Sequence, residues 1–339
     1  MINLYFKITA LRDHEFVLGE KNWLNGKGFR YGEFYGEANK MMVSGVLRNE
    51  YGERNVFIYR SFHDGDMDYD KNLVKFCKQA ELSATFSVFT DGVCVKFHNI
   101  GERDGSGYAY SELIEAPILR VFLEEKHGIP IFEERKNLVE AMAKCLADLH
   151  VHYCIHGDFS ENNLLWNGGL FVIDFDFSSD EAMSCYVDED GDRTIAGENV
   201  VALKEGLRRV ISRIEDGFAG RRVVGLFSEE FSNSFGSAFG DIGYFAKHAK
   251  DTLLNDDPDC LDLLDYVGED MKLFMVSVLN LLNKDRFDAA VDLIKFFMWG
   301  LYQGVVIKRN LLELSATLPT GRPEPVRHGF DGARFNPMG

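Results

Sequence analysis

Positive charge is in short supply in this 339-residue chain. Its 37 lysines and arginines face 54 aspartates and glutamates, a formal net charge of −17. Nucleic acid and anionic membrane surfaces both attract cationic proteins, so the balance argues against a general binder of either class. It does not exclude ATP, because a magnesium ion and a few basic groups can reverse the sign inside one cleft. Long apolar runs are also missing. No uninterrupted stretch approaches the roughly 18 residues of a membrane span, and the amino terminus lacks a basic-then-apolar signal pattern. A cytoplasmic protein without membrane insertion is the expectation, with signal-independent secretion compatible with the same pattern. The six cysteines, Cys77, Cys94, Cys145, Cys154, Cys185 and Cys260, never fall into C-x-x-C spacing. That pattern fits reduced core thiols. No internal repeat stands out.

What is present is the composition of a globular protein, 46% apolar and 27% charged, in a chain long enough for a two-lobed enzyme plus an accessory region. Its centre reads Ile155-His156-Gly157-Asp158-Phe159-Ser160-Glu161-Asn162-Asn163-Leu164-Leu165, then Phe171-Val172-Ile173-Asp174-Phe175-Asp176. Leu138, Met142, Cys145 and Leu149 recur at helical spacing just before it, so a buried helix feeds the block. Leu164–Trp166, Asn167-Gly168-Gly169 and Leu170–Ile173 read as strand, tight turn and strand. A turn between helix and strand is the bland reading of His156-Gly157-Asp158. The context favours chemistry: a carboxylate, a carboxamide and a second carboxylate at the ends of one hairpin. Asp158 can accept a hydroxyl proton, while Asn163 and Asp174 offer oxygen ligands to magnesium bridging nucleotide phosphates. The spacing is that of the second half of the kinase signature set.

Ile-His-Gly-Asp-Phe-Ser-Glu-x-Asn-Leu resembles the catalytic loop of RIO-type atypical kinases, and less closely those of lipopolysaccharide-core kinases and of aminoglycoside or choline phosphotransferases. Ser160 stands where ordinary protein kinases carry lysine. Ile173-Asp174-Phe175-Asp176 is more similar to the small-molecule phosphotransferases. The resemblance implies a catalytic Asp158, metal-holding Asn163 and Asp174, and a His156 that braces the loop by packing and hydrogen bonding. Asp176, where glycine is usual after Asp-Phe, is either an added ligand or a solvent-facing side chain.

Upstream, the glycine-dense stretch from Asn25 to Asn39, with Gly26, Gly28 and Gly36, can let backbone amides approach phosphates. Lys40–Leu47 and Asn55–Arg60 follow as a strand hairpin. Gly36-Glu37-Ala38-Asn39 resembles the RIO-type Gly-x-x-Ala-Asn, and Val56-Phe57-Ile58-Tyr59-Arg60 resembles that family's Val-Lys-Ile-Tyr-Lys. Phe57 therefore replaces the phosphate-binding lysine, and Arg60 or Lys40 is favoured over Lys96 on spacing to supply the charge, with a surface role as the equal alternative for each. Asp68–Leu82 predicts a helix, with Glu81 as the acid available to pair with such a base, although a capping or exposed role is its plainer reading. Strands at Thr85–Phe89 and Val93–Phe97, a loop at Gly101–Gly107 and a strand at Tyr108–Glu115 complete the expected small lobe. Around Glu112 and Ile114 that last strand would enter a hinge against the adenine.

Downstream, Ser178–Gly197 reads as an acidic segment between metal site and substrate, and Asp188–Asp192 as a solvated loop rather than a calcium site. Asn199–Ile214 is amphipathic, and the resemblance makes it the core helix that supports the catalytic loop. Helical runs near Cys260–Tyr266, Met271–Leu282 and Phe287–Tyr302 follow, with Asp256-Asp257-Pro258-Asp259 as a helix-start signal. The tail from Gly321 reads as loosely ordered. The expected fold is α+β, a two-lobed protein-kinase-like architecture with a C-terminal helical extension. Residues 1–115 would form the small lobe, 116–216 the catalytic lobe and 217–339 the extension. ATP and Mg2+ are the implied cofactors. The acceptor is a hydroxyl on a protein, as the RIO-like loop favours, or on a small molecule, as Ile-Asp-Phe-Asp and the extension favour. A pseudokinase is the reading that the missing lysine favours.

Overall fold

The computed structural model describes residues 15–18, 40–49, 52–61, 69–103, 106–112, 114, 116–125, 132–214, 217 and 219–317. The candidate phosphate-loop glycines Gly26, Gly28 and Gly36 and the tail from Gly321 lie outside these residues. Within them the chain mixes helices with small antiparallel sheets, an α+β composition. The strands β1 (Glu15–Leu18), β2 (Lys40–Asn49), β3 (Gly52–Ser61), β4 (Phe97–Arg103) and β5 (Ser106–Glu112) form one sheet in the order β1-β2-β3-β5-β4. The expected hairpin is β2 against β3, from Lys40↔Ser61 to Asn49↔Gly52.

Two expectations in this part of the chain fail, the first through the competition between periods of two and 3.6 and the second because a polar segment pairs as strand. Thr85–Phe89 is not a strand but the last turns of α1 (Tyr69–Phe89). Phe86 is fully buried while Val88 is 71% exposed. A strand would put these two residues on one face, whereas a helix rotates them apart. Most of the polar segment Gly101–Gly107 is strand, since β4 and β5 pair as far as Arg103↔Ser106. Val93-Cys94-Val95 does extend, but onto a different partner. Val95 N–H donates to Val172 O and Val172 N–H to Val93 O, both at 2.8 Å.

Beyond α2 (Leu119–Glu125), α3 (Phe132–Val151) carries the predicted stripe and more. Leu138, Met142, Cys145 and Leu149 are buried, and so are Val139, Ala143, Leu146 and Ala147. A helix apolar around so much of its girth must be covered on several sides. The hairpin β6 (Leu164–Trp166) and β7 (Leu170–Val172) lies on one of them, and the later helices cover the rest. The acidic segment folds into a small meander of β8 (Cys185–Val187), β9 (Arg193–Ile195) and β10 (Glu198–Asn199). At its tip the Asp188 carboxylate accepts the amides of Asp190 and Asp192, so it closes its own turn.

Five helices follow. They are α4 (Val200–Arg213), α5 (Gly220–Phe231), α6 (Ala238–Leu253), α7 (Pro258–Asn283) and α8 (Phe287–Thr317). Asn199 caps α4, accepting the amides of Val201 and Ala202. Asp257 caps α7 ahead of Pro258, as the acidic cluster predicts, and the two expected runs beyond it are one continuous helix. Gly220 and Gly268 let α5 and α7 cross in backbone contact: a Cβ on Gly268 would lie 1.9 Å from the Gly220 carbonyl oxygen. These helices are no appendage, for α6, α7 and α8 all pack on α3. Phe287–Lys308 is, by length and composition, apolar enough to cross a membrane, although charged residues interrupt its apolar run. In the fold this helix packs against α3 and α7.

Candidate functional site

The segment between α3 and β6 is held from both ends. Ile155 exchanges backbone hydrogen bonds with Ser179, and Asn163 N–H closes a turn onto Ser160 O at 3.0 Å. Gly157 takes φ +82° at a point where a Cβ would sit 2.2 Å from the Phe177 carbonyl oxygen. Only glycine fits there, both for its dihedral and for the close approach.

Asp158 is 8% exposed, and its two oxygens have different fates. Oδ2 accepts from Asn163 Nδ2 at 2.8 Å, and the same amide group donates to the Asp158 carbonyl at 3.0 Å. Oδ1 is buried without a hydrogen-bond partner. Burial pushes the Asp158 carboxyl above the ordinary range, against the pull of His156, Ser160 and Asn163. Asn163, with its nitrogen turned to Asp158, has its Oδ1 as the carboxamide atom for a cation.

Asp174 follows β7 in a left-handed backbone conformation, φ 64°. Such a conformation costs a non-glycine residue energy and recurs where function needs an unusual chain direction. Ile173 N–H donates to Asn163 O at 2.9 Å, which brings Asp174 beside the Asn163 end of the hairpin. Asp174 Oδ1 accepts the Asp176 amide at 3.2 Å. Asp158, Asn163 and Asp174 are thus gathered on one hairpin and the turn feeding it. Two oxygen side chains suit magnesium, which keeps waters and phosphate oxygens in the rest of its octahedron. Among the described residues no three His, Cys, Asp or Glu side chains cluster into an all-protein cage.

His156 lies behind the loop. It has no exposed surface, and its ring packs edge-on to Phe159 and tilted against Phe175. Burial holds its imidazole below the usual value, against Asp241 and Asp158. A neutral, enclosed ring holds the loop in shape rather than exchanging protons with a ligand.

The helix that supports this loop is α6, not Asn199–Ile214. Asp241, fully buried, accepts from His156 N–H at 2.8 Å and from Gly157 N–H at 2.9 Å. His248 Nε2 meets the Phe159 carbonyl at 3.0 Å, and Lys247 Nζ binds both Glu161 oxygens at 2.7 and 2.9 Å. Tyr244 lies between these contacts, its phenol pushed up to about 12 by burial and by Asp158 and Glu161. One signal for Asp241 was legible: a lone acid inside Phe239-Gly240-Asp241-Ile242-Gly243-Tyr244-Phe245, where burial demands a partner. On the other side, α1 reaches the site through Phe86, edge-on to Phe175, and through Gln79, whose Nε2 donates to Asp176 Oδ1. Glu81, the acid of this helix weighed as a partner for a phosphate-binding base, is exposed, in line with its plainer reading as an exposed or capping residue.

The remaining candidates lie on the five-stranded sheet and the segments next to it. Lys40 and Arg60 are backbone positions at one end of the β2–β3 ladder, with side chains outside the described residues. Lys96 is exposed beside the fully buried Cys94. Glu112 is an exposed residue ending β5, and Ile114 packs on Ala116, Ile118 and Leu165. That segment is tied to the hairpin by Trp166 N–H donating to Pro117 O at 3.0 Å.

Beside the loop, a cavity of about 570 Å3 opens between α2, the start of α3 and the carboxyl-terminal end of α6, with Glu161 on its wall. Compared with models of protein families and with curated proteins, the chain has no match.

Proposed function

We propose that this protein is an ATP- and magnesium-dependent phosphotransferase with a two-lobed kinase-like architecture, moving the γ-phosphoryl group to a hydroxyl. The observation that carries the reading is the Asp158–Asn163 pair: a buried carboxylate with one oxygen held and the other unpartnered, beside an Asp174 in a left-handed turn. Asn163 and Asp174 would hold the metal, which when bound would neutralise charge on the phosphates. Asp158 Oδ1 would accept the acceptor's proton, and its raised pKa makes it a better base than a solvated carboxylate. Asn163 Nδ2 fixes the carboxylate's orientation, and Asp241 and His248 fix the loop that presents it.

The RIO-like loop implies a protein serine or threonine acceptor. The cavity against Glu161 favours a small one, because its volume falls in the range of small-molecule sites. Incubation with magnesium and labelled ATP separates the readings. Label on protein supports the first, and ATP consumption that requires an added metabolite supports the second. No turnover together with no nucleotide-induced thermal shift would overturn both and leave a pseudokinase.

A further inference from the structure

We infer that the cavity between α2, α3 and α6 is the acceptor subsite, and that its ligand is a small, uncharged polyhydroxyl compound of sugar or cyclitol type. The inference deepens the proposed phosphotransfer reading and rests on its small-acceptor arm. Its position is the first argument. Glu161 is three residues from Asp158, so their Cα atoms are at most about 11 Å apart, and Tyr244 stands near both acids and stacks on His248, which also lines the cavity. A ligand seated there is within a molecule's length of the proposed base.

The lining decides the class of ligand. Four carboxylates (Glu124, Glu134, Glu161, Asp251) and three cations (Arg120, Arg135, Lys250) line the cavity, and Glu161 is paired with Lys247, which lies outside the lining. With Glu161 so paired, the remaining charges balance three against three, and the wall offers many donors and acceptors to vicinal hydroxyls without a net charge that would select an ion. Phe122, Leu123 and Leu138 add an apolar side for the C–H face of a ring. The second, independent observation is Thr252. It lines the cavity at 2% exposure, and its hydroxyl has no hydrogen-bond partner, although its carbonyl accepts from Arg135 Nη1. A buried hydroxyl left unpaired is costly unless a ligand completes it.

Calorimetric titration of the full chain with a panel of neutral monosaccharides and inositols, without nucleotide, tests the assignment. At least one compound should bind, and Thr252→Val and Asp251→Asn should each weaken it about tenfold or more. Thr252→Val should at the same time raise the melting temperature of the free protein, which shows that lost binding is not lost folding. Nucleotide-induced thermal shift should be unchanged in both variants. Failure of the whole panel to bind, unaltered binding in both variants, or at least tenfold tighter binding of an amino-sugar than of its neutral parent would overturn the proposal. Polyol binding by a protein that gives no shift with MgATP would keep the subsite and sink the phosphotransfer reading. A shift with MgATP but no polyol binding would do the reverse.

Discussion

Asp158 has one oxygen held by Asn163 and the other buried without a partner, and the role proposed for the second governs what substitution there should do. Asp158→Ala and Asp174→Ala should each lower phosphoryl transfer by a hundredfold or more while leaving the circular dichroism spectrum unchanged. Retained turnover in either variant would refute the assignment. Because burial raises the folded-state pKa of Asp158 above that of the unfolded chain, the folded state holds this proton more tightly. The associated stability is therefore fully present below the unfolded carboxylate value and is lost as pH rises through the folded value. Asp158→Asn removes that loss, so it should melt higher than wild type at neutral pH, with the gap closing in acid. Melting curves between pH 4 and pH 7 check the sign.

At the scale of elements, the relation to test is that between α6 and the loop it holds. Asp241 receives two buried backbone amides, and an asparagine in its place can satisfy them only partly and without charge. Asp241→Asn should cost about 2–4 kcal/mol in denaturant unfolding and reduce transfer without touching substrate. His248 adds a pH dependence of the opposite sign to that of Asp158. Burial pushes its imidazole down to about 4. Its contribution is whole above the unfolded value and is lost as pH falls from about 6.5 through about 4, amounting to roughly 3 kcal/mol. Replacing His248 with asparagine should flatten this acid limb of the stability profile. The α5–α7 crossing is equally specific: Gly268→Val would drive a side chain into the Gly220 carbonyl and should destabilise by several kcal/mol, readable as a fall in melting temperature.

For the whole molecule, α3 is the common wall of the hairpin, α6, α7 and α8. Each large apolar side chain buried there is worth roughly 1.5–3 kcal/mol, and a domain's net stability is only about 5–15 kcal/mol. A chain ending at residue 216 should therefore show no cooperative thermal transition, although it would retain Asp158, Asn163 and Asp174. A sharp melt in that truncated chain would mean that the later helices are dispensable after all.

Much of the local structure around the candidate site is legible in the sequence, because its parts are close in the chain. The α3 stripe, the β6–β7 hairpin and the polar residues at its ends follow from local periodicity and turn chemistry, which act over a few residues. Short segments with ambiguous periods misled, as at Thr85–Phe89, where burial of Phe86 and exposure of Val88 followed the helix. What only the tertiary structure decided was everything carried by distant pairs. Asp241 lies about 85 positions from the amides it receives and Gln79 nearly a hundred from Asp176, and neither partner leaves a mark on the other's neighbourhood in the chain. The physical reason is that a buried charge or amide is satisfied by whichever group packing brings to it, and packing is a property of the assembled helices rather than of any window of sequence.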